Sequence, residues 1–484
     1  MHLHVSIWSL VLPLSAASHS QRHISHDVAI PTVKIAINAS TRFQVIDGFG
    51  VSEAFQRSAQ VHGKAGLSES NQRKVLDYLF SNEVGAGLTI LRNGIGSSTS
   101  YIRDFMKSIE PTDPGGPNAT AKYEWDGDDG SQVWLTKEAL RYGVKWVYAD
   151  AWSAPAYMKT NGNDSNGGSI CGVQETSCAS GDWRQAYANY LVQYIRFYKE
   201  KEGIAITHLG FLNEPDLNQT YASMQSSGFQ AGDFLKVLAP TLKASGFEDV
   251  QIVCCEATGW NDGEDILAEL QSIPGAEDSL AVYSAHGYSS NPALPFKTTI
   301  SKTWQTEWAD LDGSWRTSWD YLGKEGEGMA WANKIQQALT LSNVSGFLYW
   351  IGAETTTTNS ALIRLANDTV SVSSRLWAFA QFSRFVKPGA VRVGVESGIG
   401  YVRVSAFENV NGGVVVNIIN NGHVDVRTDV VISGWDGTVG NVTSWLTNNA
   451  NNLTVGVEFR AIGGSREPGF NGLVPARSMV SYIV

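Results

Sequence analysis

At 484 residues the chain is longer than one small core would use, so a large barrel with a smaller appended domain fits better. Its net charge of −11 argues against nucleic acid and anionic membranes as partners, because phosphate binding needs a basic face. The remaining composition is that of a globular protein, but 16 Trp, 17 Tyr and 18 Phe exceed ordinary core needs and suit a surface that stacks on sugar rings.

The first element in chain order is "MHLHVSIWSLVLPLSAAS". An apolar run from Val5 to Leu14 precedes Ser15, Ala16, Ala17 and Ser18, which predicts a signal peptide over 1–18, cleaved near Ala17 or Ser18, despite an n-region without Lys or Arg. The run is too short to span a bilayer and no other segment could. Eight N-x-[ST] sequons follow, at Asn38, Asn118, Asn163, Asn218, Asn343, Asn367, Asn441 and Asn452. Together with the leader they predict a secreted, extracellular glycoprotein. A monomer without cofactor or metal is expected; no Cys/His set has zinc spacing.

Strand patterns are then read at 43–50, 88–94, 145–153, 206–214, 250–257, 280–288, 302–308 and 344–352, with helical patterns between most of them, as in 68–82, 183–200 and 328–342. Eight strand–helix repeats predict a (β/α)8 TIM barrel over 43–385, α/β in class. From about residue 390 the pattern alternates with period two, in "YVRVSAFE" and "GVVVNIIN" for example. This predicts an antiparallel β-sandwich side domain from 386–484, joined by 24–42.

Cys171 and Cys178 bracket a short polar stretch and should be bonded, a closure worth about 2.5 kcal/mol by chain entropy. Cys254 and Cys255 are neighbours in an apolar strand. Adjacent strand residues face opposite sides, so these are read as free buried thiols.

Barrel enzymes of this kind carry their sites at the C-terminal strand ends. Glu214, in "FLNEPD", ends the fourth candidate strand, and Glu307, in "WQTEWAD", ends the seventh. They are 93 positions apart, close to three β/α units. Two carboxylates on one barrel face are the minimum equipment for glycoside hydrolysis. Pro215 should hold Glu214 extended, a negative Glu307 should raise its pKa, and Asn213 can donate to a sugar hydroxyl. Arg92 ends strand two and can orient and ionise the nucleophile, and Asn93 beside it is assigned to substrate binding. Trp152 and Trp350, at the ends of strands three and eight, can form sugar platforms, and the Tyr288 hydroxyl can reach Glu307. Trp183, Trp331 and Trp377 are assigned to the core, Asp310 and Asp312 to solvent, and His286 to a structural role. Arg57 has two readings, an exposed i, i+4 pair with Glu53 or a bidentate clamp for a carboxylate.

The motifs "GFGVSEAFQRSAQ", "FLNEPD", "QTEWADLDG" and "GFLYWIG" together resemble glycoside hydrolase family 30, and the first looks like its fungal xylan-acting branch (subfamily 7-like). The resemblance covers nearly the whole chain after the leader. It implies a retaining hydrolase with Glu214 as acid/base and Glu307 as nucleophile, acting on the β-1,4 links of plant cell-wall xylan near glucuronic acid branches. It further implies Arg57 as the contact to the branch uronate. Exo-action releasing xylobiose or reducing-end xylose, a β-1,6-glucan or β-1,6-galactan substrate, and a catalytically dead carbohydrate-binding protein are the competing readings.

Overall fold

The computed structural model describes residues 30–102, 105–440, 442–456, 459–462 (backbone only) and 468–484. The expected leader over 1–18 and the Asn441 sequon lie outside the described residues.

Eight parallel strands close a barrel: Gly48–Ser52, Ile90–Ile95, Trp146–Ala151, His208–Gly210, Gln251–Ala257, Val282–Ala285, Thr303–Gln305 and Gly346–Glu354. Closure comes from the last strand, which pairs in parallel with both the seventh (Gly346 opposite Trp304) and the first (Gly346 opposite Gly48). The alternation of side chains along each strand divides the molecule into an inside and an outside. Ile90, Tyr148, Val253, Val282, Trp304 and Leu348 fill the barrel floor. Residues adjacent to them in sequence, such as Leu91 and Val147, join the larger core under the surrounding helices. Those helices obey ordinary start and stop chemistry. Ser227 and Gln230 form a reciprocal capping box at the start of Gly228–Ala244, and Gly203, at φ +70°, ends Arg184–Glu202 in a left-handed cap. Among the described residues no helix is long and apolar enough to cross a membrane.

The second unit is one continuous ten-stranded sheet. Its longest strand, Thr32–Val45, alternates exposed and buried from 32 to 40 and turns Val33, Ile35 and Ile37 into a core shared with Val393, Val416, Ile418, Val430 and Phe470. The sheet curls over itself: the rings of Phe470 and Tyr482, on strands that are not hydrogen-bonded neighbours, lie 4.9 Å apart. The sandwich expected from the sequence is therefore a single sheet folded back, and it contains one parallel pair, Thr32–Val45 with Val426–Ser433. Residues 43–45, expected in the first barrel strand, belong to this long strand, and the barrel begins at Gly48. Side-chain hydrogen bonds fasten the two units together. Gln381 donates to Trp445 O (3.0 Å) and Thr447 Oγ1 (2.8 Å), and Trp319 Nε1 donates to Arg477 O (2.9 Å).

The Cys171–Cys178 disulfide is formed. Cys254 and Cys255 are bonded to each other rather than free. The peptide between them is cis and brings their Cα atoms to 3.0 Å, so the opposite-face rule for a trans strand does not apply to this pair.

Candidate active site

Glu214 lies four residues past the fourth strand, and Glu307 two past the seventh, both buried at the same barrel mouth. One carboxylate oxygen of each, with a ring nitrogen of His286, lie within 4.8 Å of one another. Glu307 is held from two sides: Arg92 Nη1 donates to Oε2 at 2.5 Å and Tyr288 Oη to Oε1 at 3.0 Å. Glu214 accepts from Tyr221 Oη at 2.8 Å, and its Oε1 is 3.2 Å from His286 Nδ1.

The backbone at Glu214 is not extended. Its φ is +47°, held there by its N–H donating to Glu256 O (2.8 Å) and its carbonyl accepting from Leu217 N–H (2.9 Å). Pro215 opposes the right-handed helical region, and these two hydrogen bonds select the left-handed one. A non-glycine residue there costs about 1–3 kcal/mol and persists only where its surroundings over-determine it. Phe55, Gln56 and Glu256 share the same backbone region, so strain concentrates around this mouth.

Arg92 is the hub beneath the pair. It is fully buried and contacts Asp150 (2.7 Å), Glu256 (2.9 Å) and Glu307 (2.5 Å), while Asn213 Oδ1 accepts from its Nη2 (2.5 Å). Its guanidinium stacks 4.3 Å from the Trp152 ring. Burial alone would depress its pKa, but Glu256, Asp150 and Glu307 outweigh that and keep it charged. Burial raises Glu256 as well, and Arg92 and His286 more than reverse this, taking it down to about 2. Asp150, where burial outweighs Arg92, is pushed up to about 7. Burial lowers His286, yet Glu307, Glu214 and Glu256 together raise it to about 10.

Glu214 and Glu307 titrate as a unit. Burial pushes both carboxyls up. For Glu214 the His286 and Tyr221 hydrogen bonds win and its pKa lies below the ordinary value; for Glu307 burial wins over His286 and Arg92, and its pKa lies above. The expectation that Glu307 would raise Glu214 is thus reversed in the resting site, because the contacts with His286 and Tyr221 favour the ionised carboxylate. This trio is the one set among the described residues with cation-ligand spacing.

Above the pair is a cleft of about 220 Å³. Trp152 and Trp350 line it with Phe55, the two indole rings 5.9 Å apart and inclined by 52°. Tyr221 and Leu311 line it too, and so does Arg57. Arg57 pairs through Nε with Glu354 Oε2 (3.0 Å). Glu53 turns inward instead, its carboxylate accepting from Ala353 N–H (2.6 Å), and among the described residues no ion pair joins it to Arg57. Asn93 does not reach the cleft. It follows Arg92 and so faces the other way, donating to Thr136 Oγ1 (2.9 Å) on helix Gln132–Tyr142. Asp310 is tied down by Asn359 Nδ2 (2.9 Å), which joins the loops after strands seven and eight, whereas Asp312 is exposed as expected. Trp183 and Trp331 are in the core.

Four residues of the site were not singled out from sequence: Tyr221, Glu256, Asp150 and Glu354. His286 was seen and assigned elsewhere, although it stands two residues before Tyr288 and two-residue spacing puts side chains on one face.

Residues 32–272 match the family described as O-Glycosyl hydrolase family 30. The structure superposes on the catalytic domain of GH30 xylanase C from Talaromyces cellulolyticus with a TM-score of 0.85 and 44% identity, covering 93% of this chain and 99% of that one. Among curated proteins, the endo-1,6-β-D-glucanase neg1 of Aspergillus fumigatus is 24% identical over 84% of this chain and 86% of its own length. The glucuronoxylanase XynC of Bacillus subtilis strain 168 is 22% identical over 73% and 77%.

Proposed function

The chain belongs to glycoside hydrolase family 30, and from that premise we propose that it cleaves β-1,4-xylosidic bonds of plant cell-wall glucuronoxylan, within the chain and near its glucuronic acid branches. The observation that supports xylan most is the 44% identity across 99% of the Talaromyces xylanase. The Aspergillus relative supports a second reading, a β-1,6-glucan. Digestion of glucuronoxylan and of a linear β-1,6-glucan, with product sizes read by chromatography, tests both. Branched oligosaccharides from the first alone are expected; release of xylobiose or single xylose only would mean exo-action, and glucan cleavage alone would overturn the proposal.

In this reading Glu214 protonates the leaving oxygen while Glu307 attacks the anomeric carbon; Glu214, now a base, then activates the water that releases the sugar. Carboxyl groups about 5–5.5 Å apart suit a covalent intermediate, whereas about 6.5–9.5 Å leaves room for an intervening water. One oxygen of each carboxyl lies within 4.8 Å of the other, a nearest-atom approach that favours the closer class. The first product from a β-linked substrate should therefore be the β-anomer by proton NMR; an initial α-anomer would remove the double displacement. Arg92, a permanent cation, lies against Glu307 and supports it as the nucleophile. The resting protonation order favours the opposite allocation. Chemical rescue of the two single variants separates these.

Arg57 is proposed as the clamp for the branch carboxylate. It stands on the cleft wall with the catalytic pair, oriented by Glu354. A guanidinium can grip a carboxylate by two parallel hydrogen bonds, which Lys cannot reproduce. Arg57→Ala should lose about 1.5–3 kcal/mol of transition-state binding on glucuronoxylan. On unbranched xylo-oligosaccharides it should change little. Equal losses in kcat/KM on both substrates would take Arg57 out of the proposal. Secretion is proposed on the same footing: two disulfides suit an oxidising compartment, and the Asn218 sequon is exposed on the loop between Glu214 and Tyr221.

A further inference from the structure

We propose that Glu256 is a positioning residue for the acid/base: its buried carboxylate keeps His286 doubly protonated, and that imidazolium fixes where the proton of the Glu214–Glu307 pair resides. The inference rests on the glycosidase reading of the pair.

The geometry of His286 carries it. Its Nε2 is 3.0 Å from Glu256 Oε2 and its Nδ1 is 3.2 Å from Glu214 Oε1, so carboxylates oppose both nitrogens of one ring. A neutral imidazole has one N–H and one lone pair. Its lone pair would then face an anionic oxygen at hydrogen-bond distance, which is repulsive unless that carboxyl takes a proton. Two N–H donors remove the conflict, and the complete burial of His286 keeps bulk solvent from relieving it otherwise.

Glu256 reaches both catalytic residues. Through His286 it acts on the Glu214 side chain, and its own carbonyl accepts the Glu214 N–H (2.8 Å). Through Arg92, 2.9 Å from its carboxylate, it acts on the cation that holds Glu307. Its left-handed backbone, φ +59°, at the end of a barrel strand is the kind of local departure that a site's demands maintain. The charged and titratable groups that surround His286 are Arg92 and Asp150 on strands two and three, Glu214 after strand four, Glu256 on strand five, and Tyr288 and Glu307 after strands six and seven. Four carboxylates face two cations, an excess of negative charge that favours a doubly protonated ring. Three carboxylates, Glu307 foremost with Glu214 and Glu256, raise His286 against its burial, in line with the imidazolium.

Glu256→Gln removes one charge while keeping an oxygen that can accept from Nε2–H. The proton on Nδ1 then passes to Glu214 Oε1, leaving a neutral imidazole protonated at Nε2. The test is nitrogen NMR of protein labelled in histidine, with the kcat/KM–pH profile measured beside it. In the wild-type chain the His286 ring should be doubly protonated at pH 7, and in Glu256→Gln it should be neutral. The alkaline limb of the profile should move up by about one pH unit or more. A neutral His286 in the wild type at pH 7 overturns the proposal without any variant. So does a Glu256→Gln chain that keeps the wild-type ring signals and profile shape, whatever its loss of rate. The ring signal needs no substrate, so failure of this inference is distinguishable from failure of the glycosidase reading.

Discussion

Glu214→Gln should retain its fold, lose about 10²–10⁴-fold in activity on a polysaccharide, and regain turnover on an activated aryl glycoside when azide is added. The reason lies in what each carboxyl contributes. Without Glu214, a substrate with a good leaving group still forms the glycosyl-enzyme on Glu307. Azide, which needs no base, then replaces the water that Glu214 would have activated. The product should be the β-glycosyl azide. Glu307→Gln forms no glycosyl-enzyme, so its loss should be larger; the amide still fills the place of the carboxylate, so azide should rescue it poorly, and any azide product should be the α-anomer, from direct attack on that face. The resting protonation makes this experiment decisive: Glu214 lies below the ordinary carboxyl range and Glu307 above it, opposite to what the first step requires. A β-azide from the Glu307 variant and none from the Glu214 variant would exchange the two roles.

The sequence carried the barrel because each strand–helix unit repeats a hydrophobic pattern that only burial on both faces explains. It carried Glu214 and Glu307 because strand ends can be located to within a few residues and all open at one face. What it could not carry were properties set by contacts distant in the chain. Asn93, read from the sequence as a substrate contact, is sent by strand alternation to Thr136 instead. Arg57 and Glu53 are four residues apart and suggest a pair, yet among the described residues Arg57 forms an ion pair with Glu354, some 300 residues away. The pKa order failed for the same reason. Proximity of two carboxylates was foreseeable, but the imidazolium between them depends on Glu256, a residue hidden in an apolar strand after two cysteines. Their bond was unreadable too, because the opposite-face rule assumes a trans peptide and this one is cis.

Arg92→Met should cost about 3–5 kcal/mol of stability at pH 8, the range for a buried charge stripped of its partner. Arg92 is fully buried, and three carboxylates depend on it: Asp150, Glu256 and Glu307, at 2.7, 2.9 and 2.5 Å. Methionine fills similar apolar volume, so the change isolates the charge better than alanine would. His286 alone cannot neutralise the remaining anions, and the chain must either bury them unpaired or take up protons. The deficit should therefore depend on pH. In the wild type, Glu256 is held down to about 2 chiefly by Arg92, which supports the fold above its unfolded value near 4.5 and is lost only as pH falls towards 2. Removing Arg92 turns that carboxyl, like Asp150 already at about 7, into one whose folded pKa is raised. A raised carboxyl weakens the fold above its unfolded pKa and is relieved as pH falls through the folded one. Urea unfolding of Arg92→Met against the parent should consequently show a gap that narrows from pH 8 to pH 5. Arg92→Lys should recover part of the stability, since an ammonium restores the charge without the fork that reaches several carboxylates at once. A gap below about 1 kcal/mol, the worth of an exposed ion pair, or one that widens as pH falls, would mean that Arg92 is not the cation on which this network depends.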